Sequence, residues 1–165
     1  MEKIKNRKQG FTLIEILVVI GIIAILAAVV LVAINPARQF AQARNSQRVS
    51  NVNAILNAVG QYTADNRGIL PTQITVAAQN ISDTGANLCA VLVPTYLPSL
   101  VVDPIVDPDG AGALSQGEAV PGSACGGTYD TGYTVFRDTV GRITVCAPNA
   151  VETAIPGSTQ ICVIR

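Results

Sequence analysis

The chain has 165 residues, 11 basic and 11 acidic side chains, and no histidine or tryptophan. The length suggests one modest domain, and the lack of histidine excludes chemistry that depends on imidazole. The charge is uneven: residues 1–10 and 35–68 each hold four basic residues against one acid, a net +3, whereas residues 69–165 hold three arginines against eight acids, a net −5. The acidic C-terminal part predicts no specific nucleic-acid surface.

The first element in the chain is the apolar stretch of residues 10–34, GFTLIEILVVIGIIAILAAVVLVAI. About 20 residues at ~1.5 Å each cross a ~30 Å hydrocarbon core, so this stretch predicts a membrane-spanning helix. The basic residues before it keep that end in the cytoplasm, and we expect the remainder of the chain outside. A secretory signal peptide fits less well, because its apolar region is only ~7–15 residues long and a small-x-small cleavage site follows it.

Glu15 is the one charged residue within this stretch. A carboxylate in a helix that faces lipid costs about 2.5–3.5 kcal/mol on insertion scales, so such a residue usually has a partner or a function. A simple signal anchor explains the length and the orientation of the stretch, but it leaves Glu15 unexplained. We therefore interpret Glu15 as a functional residue.

Residues 3–45 resemble the N-terminal region of the type IV pilins and the related pseudopilins: a basic leader ends in Gly10, and the residues FTLIE and a long apolar helix follow. The resemblance implies that a prepilin peptidase cleaves after Gly10 on the cytoplasmic side and methylates the new amine of Phe11. It also implies that Glu15 faces the N-terminal amine of a neighbouring subunit, since opposite charges attract strongly at low dielectric. Glu15 and Phe11 are then the assembly residues.

The resemblance further implies the partners and the location of the chain. The partners are the prepilin peptidase, a pilus assembly platform with its separate ATPase, and other copies of the chain in a helical filament. The precursor is expected in the inner, cytoplasmic membrane with its head outside the cytoplasm, and the assembled filament is expected at the cell surface.

Asn35-Pro36 ends the apolar stretch. Proline disfavours helical geometry at the preceding residue and removes one backbone donor, so we predict a kink or local unwinding at Pro36. Beyond it, apolar residues recur every three or four positions, which predicts an amphipathic helix that ends near Gly68. The predicted packed face comprises Val49, Val52, Leu56, Val59 and Tyr62, and the polar residues placed off this face are Arg44, Arg48, Asn51 and Asn53.

The C-terminal third predicts three short strands, at residues 133–137, 142–147 and 160–164, of which the first two form a hairpin. A short helix is expected within residues 86–93. The predicted fold is α+β and pilin-like: a long N-terminal helix with a protruding hydrophobic half packs its amphipathic half on a small antiparallel sheet. We divide the chain into a leader (1–10), a hydrophobic transmembrane and assembly helix (11–34), the amphipathic half of that helix (35–67) and a head with a Pro/Gly-rich loop (68–165).

Four cysteines follow the apolar stretch, which predicts disulfides in an oxidising compartment. Placing Cys146 opposite Cys162 also places two valines opposite each other, so one antiparallel register satisfies both pairs. This favours Cys146–Cys162 and, by elimination, Cys89–Cys125. Four cysteines allow three connectivities, and free buried thiols are the alternative.

Residues 107–118, DPDGAGALSQGE, resemble a 12-residue EF-hand-type calcium loop. The expected ligands are Asp107, Asp109, the carbonyl of Ala113, Ser115 and Glu118. The fifth loop position carries an alanine, so one ligand is missing, and no regular helix pattern flanks the loop. A solvated turn rich in Asp, Pro and Gly is the alternative. Structural Ca²⁺ is thus a hypothesis, and we expect no required cofactor.

No catalytic constellation is evident, because the serine and cysteine residues lack the usual activating base. Asp103, Asp107 and Asp109 are a conceivable carboxylate set, but a Pro-rich loop preorganises acid–base chemistry poorly. We therefore predict that the chain is no enzyme and is a structural subunit of a type IV pilus-like filament. The alternatives are a pseudopilin of a type II secretion or DNA-uptake system, and a membrane-anchored extracellular binding module.

Overall fold

The computed structural model describes residues 10–110 and 114–165. The chain forms two compact units, one that ends at Gln39 and one that comprises Phe40–Arg165. Within the leader predicted at residues 1–10, only Gly10 is among the described residues. Each unit is described by itself below.

The N-terminal unit contains helix α1, Leu13–Ala33. Within it, Leu13–Leu31 has a mean hydropathy of 3.2 and none of it is buried. Judged by length and composition, this is the one helix in the described ranges that could cross a membrane. Nearly all of its residues are apolar, so no polar face distinguishes one side of α1 from another.

Helix α2 comprises Pro36–Asp65, and two non-helical residues, Ile34 and Asn35, separate it from α1. Pro36 occupies the first helical position, where its fixed φ is compatible with a helix and its missing N–H is not needed. The side-chain Oδ1 of Asn35 accepts a hydrogen bond from the N–H of Arg38 at 3.2 Å, which satisfies one donor of the first turn. At the other end of α2, Gly68 has φ +86° and its N–H donates to the carbonyl of Thr63.

The second unit contains six strands and a short helix α3, Cys89–Leu92. The strands are β1 (Gln79–Ser82), β2 (Ser99–Leu100), β3 (Val120–Pro121), β4 (Asp130–Arg137), β5 (Ile143–Ala147) and β6 (Ile161–Ile164). Four of them form an antiparallel sheet in the order β1-β4-β5-β6, and β2 and β3 form a small ribbon. The α+β fold predicted from the sequence is therefore confirmed. The sequence did not predict strand β1, because the strand has only four residues, QNIS, and most of them are polar.

The core of this unit lies between one face of α2 and the sheet. Helix α2 contributes Val52, Ile55 and Val59, which are fully buried, and β4 contributes Tyr133 and Val135. The predicted packed face is partly wrong. Val49 is 43% exposed, whereas Arg48 and Asn51 are buried.

Two disulfides connect parts of the second unit. Cys146 lies opposite Cys162 in the β5–β6 register and is bonded to it, and Cys89 is bonded to Cys125. The described residues contain no free cysteine. The free-thiol alternative is therefore excluded.

Candidate assembly site and the buried ion network

The start of α1 holds Glu15 in a capping box with Thr12. The N–H of Glu15 donates to Thr12 Oγ1 at 3.3 Å, and the N–H and Oγ1 of Thr12 donate to Glu15 Oε2 at 2.7 and 2.8 Å. This reciprocal arrangement satisfies donors that a helix start otherwise leaves unpaired. The carboxylate thus has a partner within its own chain, which the sequence interpretation missed. The signal was the Thr-x-x-Glu spacing directly before the apolar run.

The junction between Gly10 and Phe11 lies before α1 and has no regular secondary structure. The side chain of Phe11 is 84% exposed, and a Cβ placed on Gly10 would meet no atom within 4 Å. An exposed, non-helical backbone is what a protease needs at its cleavage site, because the chain must lie extended across the catalytic groups.

In the second unit, Arg44 and Arg48 lie one turn apart on α2 and reach two distant loops. Arg48 donates from Nε and Nη2 to the two carboxylate oxygens of Asp103 at 2.7 and 3.0 Å, and both side chains are fully buried. The third guanidinium nitrogen, Nη1, donates to Glu152 Oε1 at 2.6 Å. All three nitrogens of the Arg48 guanidinium therefore donate to carboxylates, which pairs its buried charge.

Glu152 also accepts two hydrogen bonds from Arg44, at 2.7 and 2.6 Å. The two hydrogen bonds from Arg44 and the one from Arg48 lower the pKa of Glu152 to about 2, against the opposing effect of burial. Hydrogen bonds to the ionised form favour that form. Glu152 is therefore a carboxylate throughout the physiological pH range.

Asn51 extends the polar contacts one turn further along α2. Its Nδ2 donates to the carbonyl of Val102 at 3.0 Å and to the hydroxyl oxygen of Tyr133 at 2.9 Å. Burial raises the pKa of Tyr133 to about 12. In the described part of the chain, no buried side-chain nitrogen or oxygen lacks a hydrogen-bond partner. The cluster fixes which face of α2 contacts the sheet and the loops.

Sequence reasoning placed Arg44, Arg48 and Asn51 off the packed face, because long polar side chains on a helix are usually solvated. A usable signal was present: Ala41, Arg44, Arg48 and Val52 follow one another at three- or four-residue spacing and belong to one stripe. The partners were not foreseeable from the sequence. Asp103 is 55 residues from Arg48, and Glu152 is 104 residues from it.

The carboxylates considered for hydrolysis and for calcium have different surroundings. Asp103 is buried against Arg48, whereas Asp107 is exposed. Asp109 Oδ2 accepts from the N–H of Leu114 at 3.0 Å, and Glu118 Oε2 accepts from the N–H of Ser115 at 2.7 Å.

Ala113 lies outside the described residues. Elsewhere, in residues 10–110 and 114–165, no group of three or more His, Cys, Asp or Glu side chains is arranged to hold a metal ion. Calcium binding stays a prediction from the sequence.

Comparison with known proteins supports the N-terminal resemblance. Residues 5–31 match a family model described as the prokaryotic N-terminal methylation motif. A Thermus thermophilus protein described as the type IV wide pilus major component PilA4 is 34% identical over 85 residues, which are 52% of this chain and 63% of that protein. The match thus spans less than two thirds of this relative's length, and no solved structure matches the chain. The motif and the relative thus show that the N-terminal part of the chain is similar to type IV pilins.

Proposed function

We propose that the chain is a structural subunit of a type IV pilus-like filament. The observation that carries this proposal is the surface of α1: it is apolar on all sides, and none of its span Leu13–Leu31 is buried within the chain. Such a surface needs an apolar environment outside the chain. A lipid bilayer provides it for the single subunit, and helices of other copies provide it in a filament. The relative's description as a major component of a wide pilus supports the same function.

Processing precedes assembly in this proposal. The prepilin peptidase cleaves between Gly10 and Phe11, which are exposed and precede the helix, and Phe11 becomes the methylated N-terminus. The assembly platform and its ATPase then transfer the subunit from the membrane to the filament base. The head remains outside the cytoplasm throughout, and the finished filament is at the cell surface.

Glu15 sets the position of each subunit during assembly. Its Oε2 accepts both hydrogen bonds from Thr12, at 2.7 and 2.8 Å, which leaves the second carboxylate oxygen for another donor. The new amine of Phe11 in a neighbouring subunit is such a donor, and it carries a positive charge. In a low-dielectric environment the attraction between these groups is strong and is greatest when they are in direct contact, so it favours the one register of helix against helix that brings them together.

The substitutions Glu15→Ala and Asp65→Ala test this function. Asp65 is an exposed carboxylate of the second unit, so Asp65→Ala controls for the loss of one carboxylate. We expect Glu15→Ala protein to be inserted and processed normally and to give about tenfold fewer filaments, because a loss of only ~1.4 kcal/mol per subunit contact lowers association tenfold. Surface filaments are counted by electron microscopy after equal expression. Equal yields from both variants would remove Glu15 from assembly, and a wild-type chain that gives no surface filaments would contradict the proposed function.

A further inference from the structure

Strand β6 is an edge of the four-stranded sheet. The pair of Ile143 with Arg165, the residue directly after β6, shows which residues of β6 form hydrogen bonds with β5. Ile143 and Arg165 exchange both backbone bonds, at 2.6 and 2.9 Å, so they form a hydrogen-bonded pair. Such pairs alternate with non-hydrogen-bonded pairs along an antiparallel ladder. Cys162 and Ile164 lie at the positions between, so their N–H and C=O groups point away from β5 and out of the sheet.

The opposite edge of the sheet is covered by the chain itself. In β1, the carbonyl of Asn80 accepts a hydrogen bond at 2.8 Å from the N–H of Ala86, which lies outside the ladder with β4. Over the described ranges, the backbone groups of Cys162 and Ile164 form no comparable bond outside the ladder. The sheet therefore has one closed edge and one open edge.

The open edge is short, but it lacks the proline and the charge that otherwise prevent pairing between sheets. Strand β6 reads ICVI, with no proline or charge, and Ile164 is 56% exposed. The nearest charged side chain in the sequence, Arg165, is directed to α2, where its guanidinium donates to Asn57 and Asn53. An exposed, apolar edge strand without charge or proline is a template for another strand.

We infer that β6 pairs antiparallel with β6 of a second copy of this chain, about a two-fold axis at Val163. In this register Cys162 of each copy lies opposite Ile164 of the other, and the four outward N–H groups meet the four outward carbonyls. The contact is isologous, because the same residues contribute from both sides. Each Ile164 side chain then covers the exposed end of the Cys146–Cys162 disulfide of the other copy.

The proposed function explains how such a small contact becomes effective, and the inference rests on it in this respect. Two paired four-residue strands bury far less than the ~1,200–2,000 Å² of a stable interface. A filament repeats the edge at every subunit, so many weak contacts between two filaments add up. We therefore assign β6 to side-by-side association of filaments.

The substitutions Ile164→Lys and Val76→Lys in the full-length chain test this inference. Both add one positive charge at an exposed aliphatic residue, 56% exposed at Ile164 and 60% at Val76, which precedes β1 at the closed edge. Electron microscopy measures the fraction of filaments that lie side by side. We expect Ile164→Lys to lower this fraction about fivefold or more, because lysine on an edge strand prevents pairing, and Val76→Lys to leave it unchanged. Equal fractions in the two variants, or wild-type filaments that never lie side by side, would overturn the inference.

Hydrogen exchange separates failure of this inference from failure of the proposed function. In detergent-extracted full-length protein, the amides of Cys162 and Ile164 should become protected as protein concentration rises to about 1 mM, the range in which a weak contact is populated without a filament. We expect this protection in wild type and Val76→Lys, but not in Ile164→Lys. This result is expected even if the wild-type chain forms no filaments. Rapid exchange of both amides at every concentration would contradict pairing at β6.

Discussion

Removal of the Asp103 carboxylate should destabilise the second unit far more than removal of Arg44. Asp103→Ala deletes both acceptors of two hydrogen bonds from Arg48 and leaves part of a fully buried guanidinium unpaired. Breaking a buried ion pair from one side costs about 3–5 kcal/mol. In contrast, 32% of the Arg44 side chain is exposed, and Glu152 keeps its bond from Arg48 when Arg44 is removed. Arg44→Met should therefore cost about 1 kcal/mol or less.

The thermal midpoint of the second unit measures this difference. For a unit of this size each kcal/mol shifts the midpoint by about 3–5 °C, so Asp103→Ala should lower it by about 10–20 °C and Arg44→Met by less than about 5 °C. Near-ultraviolet circular dichroism of the tyrosines reports the transition in the detergent-solubilised full-length chain, since Tyr129 and Tyr133 are buried in this unit.

A double variant separates the loss of the pair from the burial of a lone charge. Arg48→Met with Asp103→Leu removes both charges and replaces them with apolar side chains, which is often neutral or stabilising for a buried pair. We expect this variant to recover most of the stability that Asp103→Ala loses. If Asp103→Ala shifts the midpoint no more than Arg44→Met does, the buried network is not what fixes α2 in place.

Two further predictions concern the second unit. The pKa of Glu152 is lowered to about 2, below its ordinary value of 4.5, so its ion pairs contribute stability above the unfolded-state pKa, and this contribution is lost as the pH falls from about 4.5 to 2. The difference in unfolding free energy between wild type and Glu152→Gln should therefore be constant from pH 7 to 5 and shrink below pH 5. A difference that already disappears at pH 6 would contradict this prediction. The Cys146–Cys162 disulfide should be reduced before Cys89–Cys125, because the more accessible residue of the first pair, Cys162, is exposed, whereas that of the second pair, Cys125, is half-buried. Mass spectrometry after timed alkylation gives the order, and simultaneous reduction would contradict this prediction.

The features that the sequence predicted well are those set by local patterns. Helix α1 follows from a long apolar run in which Glu15 is the one charged residue, and the non-helical residues before Pro36 follow from the geometry of proline. The β5–β6 register follows from the sequence because a single register places Cys146 opposite Cys162 and also Val145 opposite Val163. A slip of one residue would move every side chain to the other face of the sheet.

The features that the sequence did not reveal depend on long-range contacts or on short polar segments. Strand β1 forms because its backbone pairs with β4. The residues QNIS have no strand propensity that would predict this pairing. Arg48 is buried because Asp103 and Glu152 come from loops that only the folded chain brings to α2. The capping box of Thr12 with Glu15 was not predicted, although its Thr-x-x-Glu spacing is visible in the sequence.

The N-terminus of protein isolated from surface filaments shows whether the chain is processed before it polymerises. Filaments are sheared from cells, and the mass of the N-terminal peptide is determined. We expect a peptide that begins at Phe11 with a methylated amine. Filament protein that retains Gly10 and the residues before it would contradict the proposed assembly, because Glu15 would then have no new amine to bind.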